Sequence, residues 1–141
     1  MATLAADKVR VYERQGDEPV FNDIPAIATD IMYAGSAIGI TSGTARPCTT
    51  ADEWAGFCVE QCDNSAGAAS AKNVKVRSSG YVALSIIGVT ANTHINDTVY
   101  LTDDDTFTLT ASGGLAIGKI FRWEGGAIGV VKFESLSQRS I

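Results

Sequence analysis

The sequence predicts an all-β protein: a small antiparallel sandwich or jelly-roll-like barrel made of two pseudo-repeated halves, with an N-terminal arm and very little helix. Three observations lead there. From Ile31 onward, short runs of alternating or β-branched residues recur every eight to fifteen residues. Between them lie clusters that favour tight turns, among them Ser-Gly, Ser-Ser-Gly, Asp-Asp-Asp, Ser-Gly-Gly and Glu-Gly-Gly. Finally, a phrase of four strands is stated twice, some sixty residues apart.

The first statement of the phrase reads AIGITSGTARPC, AGFCVEQ and KNVKVR. It predicts strands over Ala37–Ile40, Ala45–Cys48, Gly56–Gln61 and Val74–Arg77. The second reads TVYLTDDDTFTLT, AIGKIFRW and AIGVVKF, with strands over Thr98–Leu101, Phe107–Thr110, Gly118–Trp123 and Val130–Phe133. Two units are too few for a solenoid and suit two halves of one body.

Residues 1–30 read as an arm holding one strand, because Lys8-Val9-Arg10-Val11-Tyr12 alternates polar with apolar. A turn is expected at Gln15–Pro19 and an irregular stretch from Val20 to Ile31. The body spans 31–134, and 135–141 reads as a tail. Thr49–Trp54, with a Thr N-cap and acidic first turn, predicts a turn or two of helix. A further turn is expected within Thr90–Asp97. Asn64–Ala71 (NSAGAASA) is small and polar, as in an exposed flexible loop.

The chain has 141 residues, 45% hydrophobic and 19% charged, with a net charge of −5. A single domain of this size buries roughly 68–70% of its unfolded surface, enough for a core without staples. An acidic balance opposes the phosphate backbone, so no direct nucleic-acid binding is expected. The longest apolar stretch, Tyr81–Val89, is far short of a membrane span. MATLAADKVR lacks the apolar core of a secretion signal, so the expectation is a soluble protein used without export.

The chemistry-bearing residues are sparse. Cys48, Cys58 and Cys62 are an odd number of thiols and read as buried small hydrophobes. Their spacing, with His94 the only histidine, does not make a zinc set. His94 precedes Asp97 by three residues, yet no nucleophile stands in a GxSxG or comparable frame. Asp103-Asp104-Asp105 lacks the ligand alternation of a calcium loop and reads as a solvated hairpin turn. No glycine-rich phosphate loop is present. Trp54 and Trp123 each adjoin a repeat strand and read as core or interface anchors. Neither catalytic residue, metal nor cofactor is expected.

From Asp30 onward the chain resembles the cement, or decoration, proteins of tailed-bacteriophage capsids. The resemblance is carried by Ile31–Gly39 (IMYAGSAIG), Ala45-Arg46-Pro47, Gly56–Glu60 (GFCVE) and Asp63–Ala69 (DNSAGAA). It continues through Lys72–Arg77 (KNVKVR), Gly80-Tyr81-Val82, Asp97–Leu101 (DTVYL), Asp103–Thr110 (DDDTFTLT) and Ile117–Ile120 (IGKI). The lead-in ADKVRVYE is similar too, whereas the three cysteines and the tail after Phe133 depart from the pattern. The resemblance implies a non-enzymatic virion protein on the outer capsid surface, assembled in the host cytoplasm. It would bridge neighbouring copies of the major capsid protein against the pressure of packaged DNA. Self-association, as a homodimer before a homotrimer, would multiply weak contacts. Arg10, Tyr12, Glu13 and Phe21 of the arm are the candidate capsid or subunit contacts; the alternative is that the arm strand closes its own sheet. A carbohydrate-binding or host-adhesion module using Trp54 and Trp123 is the rival reading, and a hydrolase using His94 a more distant one.

Overall fold

In the computed structural model, residues 4–13 and 20–136 are described. The chain is all-β. Its strands are β1 (Val11–Tyr12), β2 (Phe21–Pro25), β3 (Asp30–Met32), β4 (Ala37–Thr41), β5 (Thr44–Pro47), β6 (Glu53–Cys58) and β7 (Cys62–Asn64). They continue as β8 (Asn73–Arg77), β9 (Ser79–Ile87), β10 (Thr98–Asp103), β11 (Thr106–Thr108), β12 (Leu115–Gly125) and β13 (Ile128–Glu134). A 3₁₀ turn, Asn92–His94, lies between β9 and β10.

The repeat is a repeat of pairing. In the second half, β9, β13, β12, β10 and β11 pair in that order, and β11 returns to β9 in parallel to close a five-stranded barrel. The first half pairs β2, β8, β6, β4 and β5 in the corresponding order. Its closure is a single parallel bridge between Ala26, just after β2, and Ala45 of β5. Sequence reading found four strands in each half. The fifth, β2 or β9, precedes each phrase and carries the parallel closure.

Register agrees residue by residue. Ile38 faces Gly56 just before a bulge in the first half, and Val99 faces Gly118 just before a bulge in the second. Following the ladders from there, Ala26 and Ala45 of the first bridge match Ile86 and Phe107 of the second. Matched positions are buried in both: Ile24 and Leu84, Ala55 and Ile117, Cys58 and Ile120, Val76 and Val131. The first barrel is lined by smaller side chains, and Met32 of β3 and Cys62 of β7 join its core. β3 and β7 have no counterpart in the second half.

What joins the halves is an aromatic cluster. Trp54 and Phe57 point away from the first barrel's core and pack on Phe133, at 6.3 and 5.0 Å between ring centroids, in edge-to-face geometry. Phe57 also meets Phe107 at 6.0 Å. The bulge opposite Ile38 and Gly39 explains this: it interrupts strict alternation in β6, so Ala55 and Cys58 line the first core while Trp54 and Phe57 present the opposite face. Such aromatic pairs add about 0.5–1.5 kcal/mol each beyond area burial.

Several expectations are corrected. The arm does not extend over 1–30 with one strand: β2 is a stave of the first barrel and β3 begins at Asp30, so among the described residues only 4–13, with β1, remain as the arm. The supposed irregularity of Val20–Ile31 came from Pro25, which ends β2. Thr49–Trp54 forms no helix; Asp52 turns back to accept the Thr49 amide at 2.9 Å, and Glu53–Trp54 already belong to β6. The Asp103–Asp105 turn is not solvated, since Asp104 is buried and Asp105 pairs with the arm. Asn64 is likewise buried, and its amide donates to the Ile27 and Ala68 carbonyls, pinning a loop whose tip is exposed. In the expected tail, Ser135 is buried and bonds back to Ser78, while 137–141 and the turn at Gln15–Pro19 lie outside the described residues.

Candidate functional site

The alternation of Lys8–Tyr12 is real, but its faces are inverted. Val9 and Val11, which the pattern would turn inward, are 91% and 65% exposed, whereas the Arg10 side chain is only 5% exposed. The reason lies in what the arm crosses. β1 pairs antiparallel with β9, Val11 opposite Ala83 and Tyr12 opposite Val82. The chain before it runs over the junction of the two barrels, where Lys8 N–H donates to the Ala34 carbonyl at 2.7 Å.

Arg10 fills that junction. Its guanidinium sits 5.2 Å from the Phe57 centroid and 5.4 Å from that of Phe107, one ring from each half. Nε donates to the Gly35 carbonyl and Nη2 to Asp105 Oδ1, both at 2.7 Å. Lys8 Nζ reaches the same carboxylate at 3.0 Å. Tyr12 stacks beneath the Arg77 guanidinium at 4.0 Å and contacts Phe133. Burial pushes its phenol up to about 12, although Arg77 and Arg10 pull the other way. Burial in turn lowers the Arg77 pKa, against the opposing effect of Tyr12.

Three of the four candidate contact residues therefore meet in one place. Arg10, Tyr12 and Phe21 line a groove of about 490 Å³ together with Val9, Val59 and Arg77. Glu13 lies outside it; its carboxylate pairs with Arg122 and its N–H donates to the Tyr81 carbonyl. Arg10, Tyr12 and Glu13 face their own chain, so the arm strand does close onto its own sheet. Phe21 remains 48% exposed, beside Val59 at 40%. Sequence reasoning missed Val9, Val11 and Val59 as surface residues. The signal available was Arg10, a cation flanked by valines next to an aromatic-rich repeat.

The other candidates resolve locally. His94 Nδ1 is 3.1 Å from Asp97 Oδ2 and its Nε2 3.4 Å from Thr90 Oγ1, partners that flank the 3₁₀ turn on either side. Asp97 is half exposed, so water competes for each of these bonds. Trp54 is buried in the inter-barrel cluster and offers no face to a sugar. The Trp123 indole N–H donates to the Gly126 carbonyl, three residues on. All three cysteines are free and buried; burial raises Cys48 and Cys58 to about 12 and raises Cys62 as well. Among the described residues, no three His, Cys, Asp or Glu side chains converge as a metal site. No helix among them is long and apolar enough to cross a membrane.

Fold and site together define a double five-stranded barrel, latched by its own N-terminal segment, with an apolar groove on the latch. No protein-family model matches the chain, and no curated protein is significantly similar to it.

Proposed function

We propose that this chain is a non-enzymatic cement protein that binds the outside of an assembled phage capsid. There it would bridge neighbouring major capsid proteins and stabilise the head against internal DNA pressure. The observation that carries the reading is the inverted arm: valines face water while a cation and a phenol face protein. Isolated exposed apolar residues are ordinary, but Val9, Val11, Phe21 and Val59 gather on and beside one strand. Such a cluster suits a partner protein's surface.

Support also comes from the ordered run of segments shared with capsid decoration proteins, from DNSAGAA through KNVKVR to DDDTFTLT. The acidic balance fits an outer surface rather than a DNA-facing one. Two barrels fixed to each other by Arg10 make a rigid clamp, and rigidity reduces the ordering cost of binding. A homodimer, or next a homotrimer, would let one assembly grip several capsomers.

The test is retention on capsids. Purified protein, incubated with heads lacking it, should co-sediment with them and raise their resistance to heat or chelator. Val9→Glu with Val11→Glu should abolish retention while the free protein melts normally. His94→Ala should be retained like the parent chain. If the parent protein stays in the supernatant, the reading fails.

A further inference from the structure

The register match between halves points to a second surface, distinct from the arm groove. In the first half, one row across the sheet reads Ala37, Phe57, Arg77 and Phe21, each opposite the next. This is the row on which the second barrel and the arm dock: Ala37 and Phe57 are fully buried, and Arg77 covers Tyr12. The matching row of the second half reads Thr98, Lys119, Lys132 and Tyr81. Nothing among the described residues covers it, and both lysines are exposed.

Its chemistry is unusual for a surface left to water. Lys119 and Lys132 stand directly opposite each other on adjacent strands, an arrangement in which like charges repel. Neither lysine belongs to the six ion pairs formed among the described residues. The two ammonium groups flank a groove of about 380 Å³ whose wall includes Thr98, Ala116 and one carboxylate, Glu134. Beside it, Lys132 Nζ lies 5.8 Å from the Tyr81 ring, which packs edge-on against Phe121 at 4.9 Å. Phe121 is 50% exposed.

We infer that this row is a docking surface for an acidic, extended peptide segment of a partner protein. Carboxylates would seat between Lys119 and Lys132 and relieve their repulsion, while Tyr81 and Phe121 supply an aromatic anchor. A polyanion such as nucleic acid fits less well. Its charge continues beyond the groove and would meet the rest of a surface carrying a net charge of −5. The inference rests on the capsid reading only for who the partner is, since the groove's chemistry stands without it.

The experiment is a fluorescence-anisotropy titration of the whole protein with a short fluorescein-labelled oligo-aspartate peptide carrying a central Phe. Saturable binding that weakens with salt is expected. Lys119→Glu should weaken it by roughly tenfold or more, one tenfold step being a modest loss of charge complementarity. The same substitution should raise the melting temperature, because it turns a repelling pair into an attracting one. Those opposite signs separate a binding role from damage to the fold. Lys75→Glu, an exposed lysine on the first barrel, should leave binding unchanged. Absence of peptide binding, full binding by Lys119→Glu, a loss accompanied by a lower melting temperature, or tighter binding of an oligonucleotide of equal charge would each overturn the inference. Loss of capsid retention with peptide binding intact would sink the capsid reading alone.

Discussion

Phe57 and Lys119 occupy the same register position in the two halves, yet one is wholly buried and the other lies in water. The difference is not made by the barrels, whose ladders match. It is made by what each outer face meets: Phe57 meets Arg10, Phe107 and Phe133, and nothing among the described residues covers Lys119. Replacing Phe57 by Ala should cost about 3–5 kcal/mol in denaturant unfolding, whereas Lys119→Ala should cost nothing measurable. Equal losses at the two positions would undo the asymmetry.

Gly56 and Gly118 are a second matched pair. A β-carbon on either would stand 2.1 Å from the carbonyl oxygen of the next strand, Arg77 and Lys132 respectively. A backbone oxygen cannot swing away as a flexible side chain can. Alanine at each site should therefore destabilise by about 1–3 kcal/mol or more, with Gly56 the worse because its φ is +124°. Thermal melts that show Gly118→Ala unchanged would count against the close strand approach.

The latch between Arg10 and Asp105 spans the two barrels. Arg10→Ala leaves the Gly35 carbonyl without its side-chain donor and the Asp105 carboxylate with Lys8 alone, and a loss of about 2–3 kcal/mol is expected. Arg10→Lys should recover little, because an ammonium cannot reach Gly35 and Asp105 while lying between two rings. A double-mutant cycle with Asp105→Ala checks this; additive effects would mean the contact carries no coupling.

Alkaline pH should loosen the fold in a defined window. Tyr12 ionises at about 12 in the folded chain, against about 10 when unfolded. Between those values the folded state holds the proton more tightly, so stability present below pH 10 is lost as pH rises. Cys48 and Cys58, also at about 12, begin the loss lower, near the free thiol value of about 8.5. In denaturant midpoints measured against pH, Tyr12→Phe should flatten the upper part of the decline. An unchanged slope in that variant would exclude Tyr12 as its source.

Acid works through Asp52. Burial alone would raise its carboxyl pKa, but Arg46, which chelates it from Nε and Nη2, and the Thr49 amide together hold it below the usual range. The folded state thus binds fewer protons, and this contribution is lost as pH falls through the lowered pKa. Asp52→Asn should make stability less sensitive to acid below about pH 4. A variant whose acid transition matched the parent's would refute that assignment.

Most of the barrel framework was legible because alternation and turns are local signals. The two phrases marked eight strands, and their pairing order repeated as the spacing implied. What was not legible is what local pattern cannot carry. The parallel return of Ala26 to Ala45 and of Ile86 to Phe107 depends on residues outside the phrase. Asp104 reads as a turn residue by composition, whereas in the fold it is buried and its carbonyl accepts the distant Ala37 amide. The arm deceived for the same reason: alternation gives the period of a strand, not which face meets protein. That choice was set by Phe57, Phe107 and Asp105, all far away in sequence.

The parallel closure also fixes an order of events. Every stave of the first barrel has been synthesised by Arg77, so that unit can shut while the remainder of the nascent chain is still emerging. Arg10 must wait for Asp105, a separation of 95 residues, before it finds its carboxylate. The earliest part of the chain thus settles among the last, and until it does the aromatic seam stays open to unintended partners.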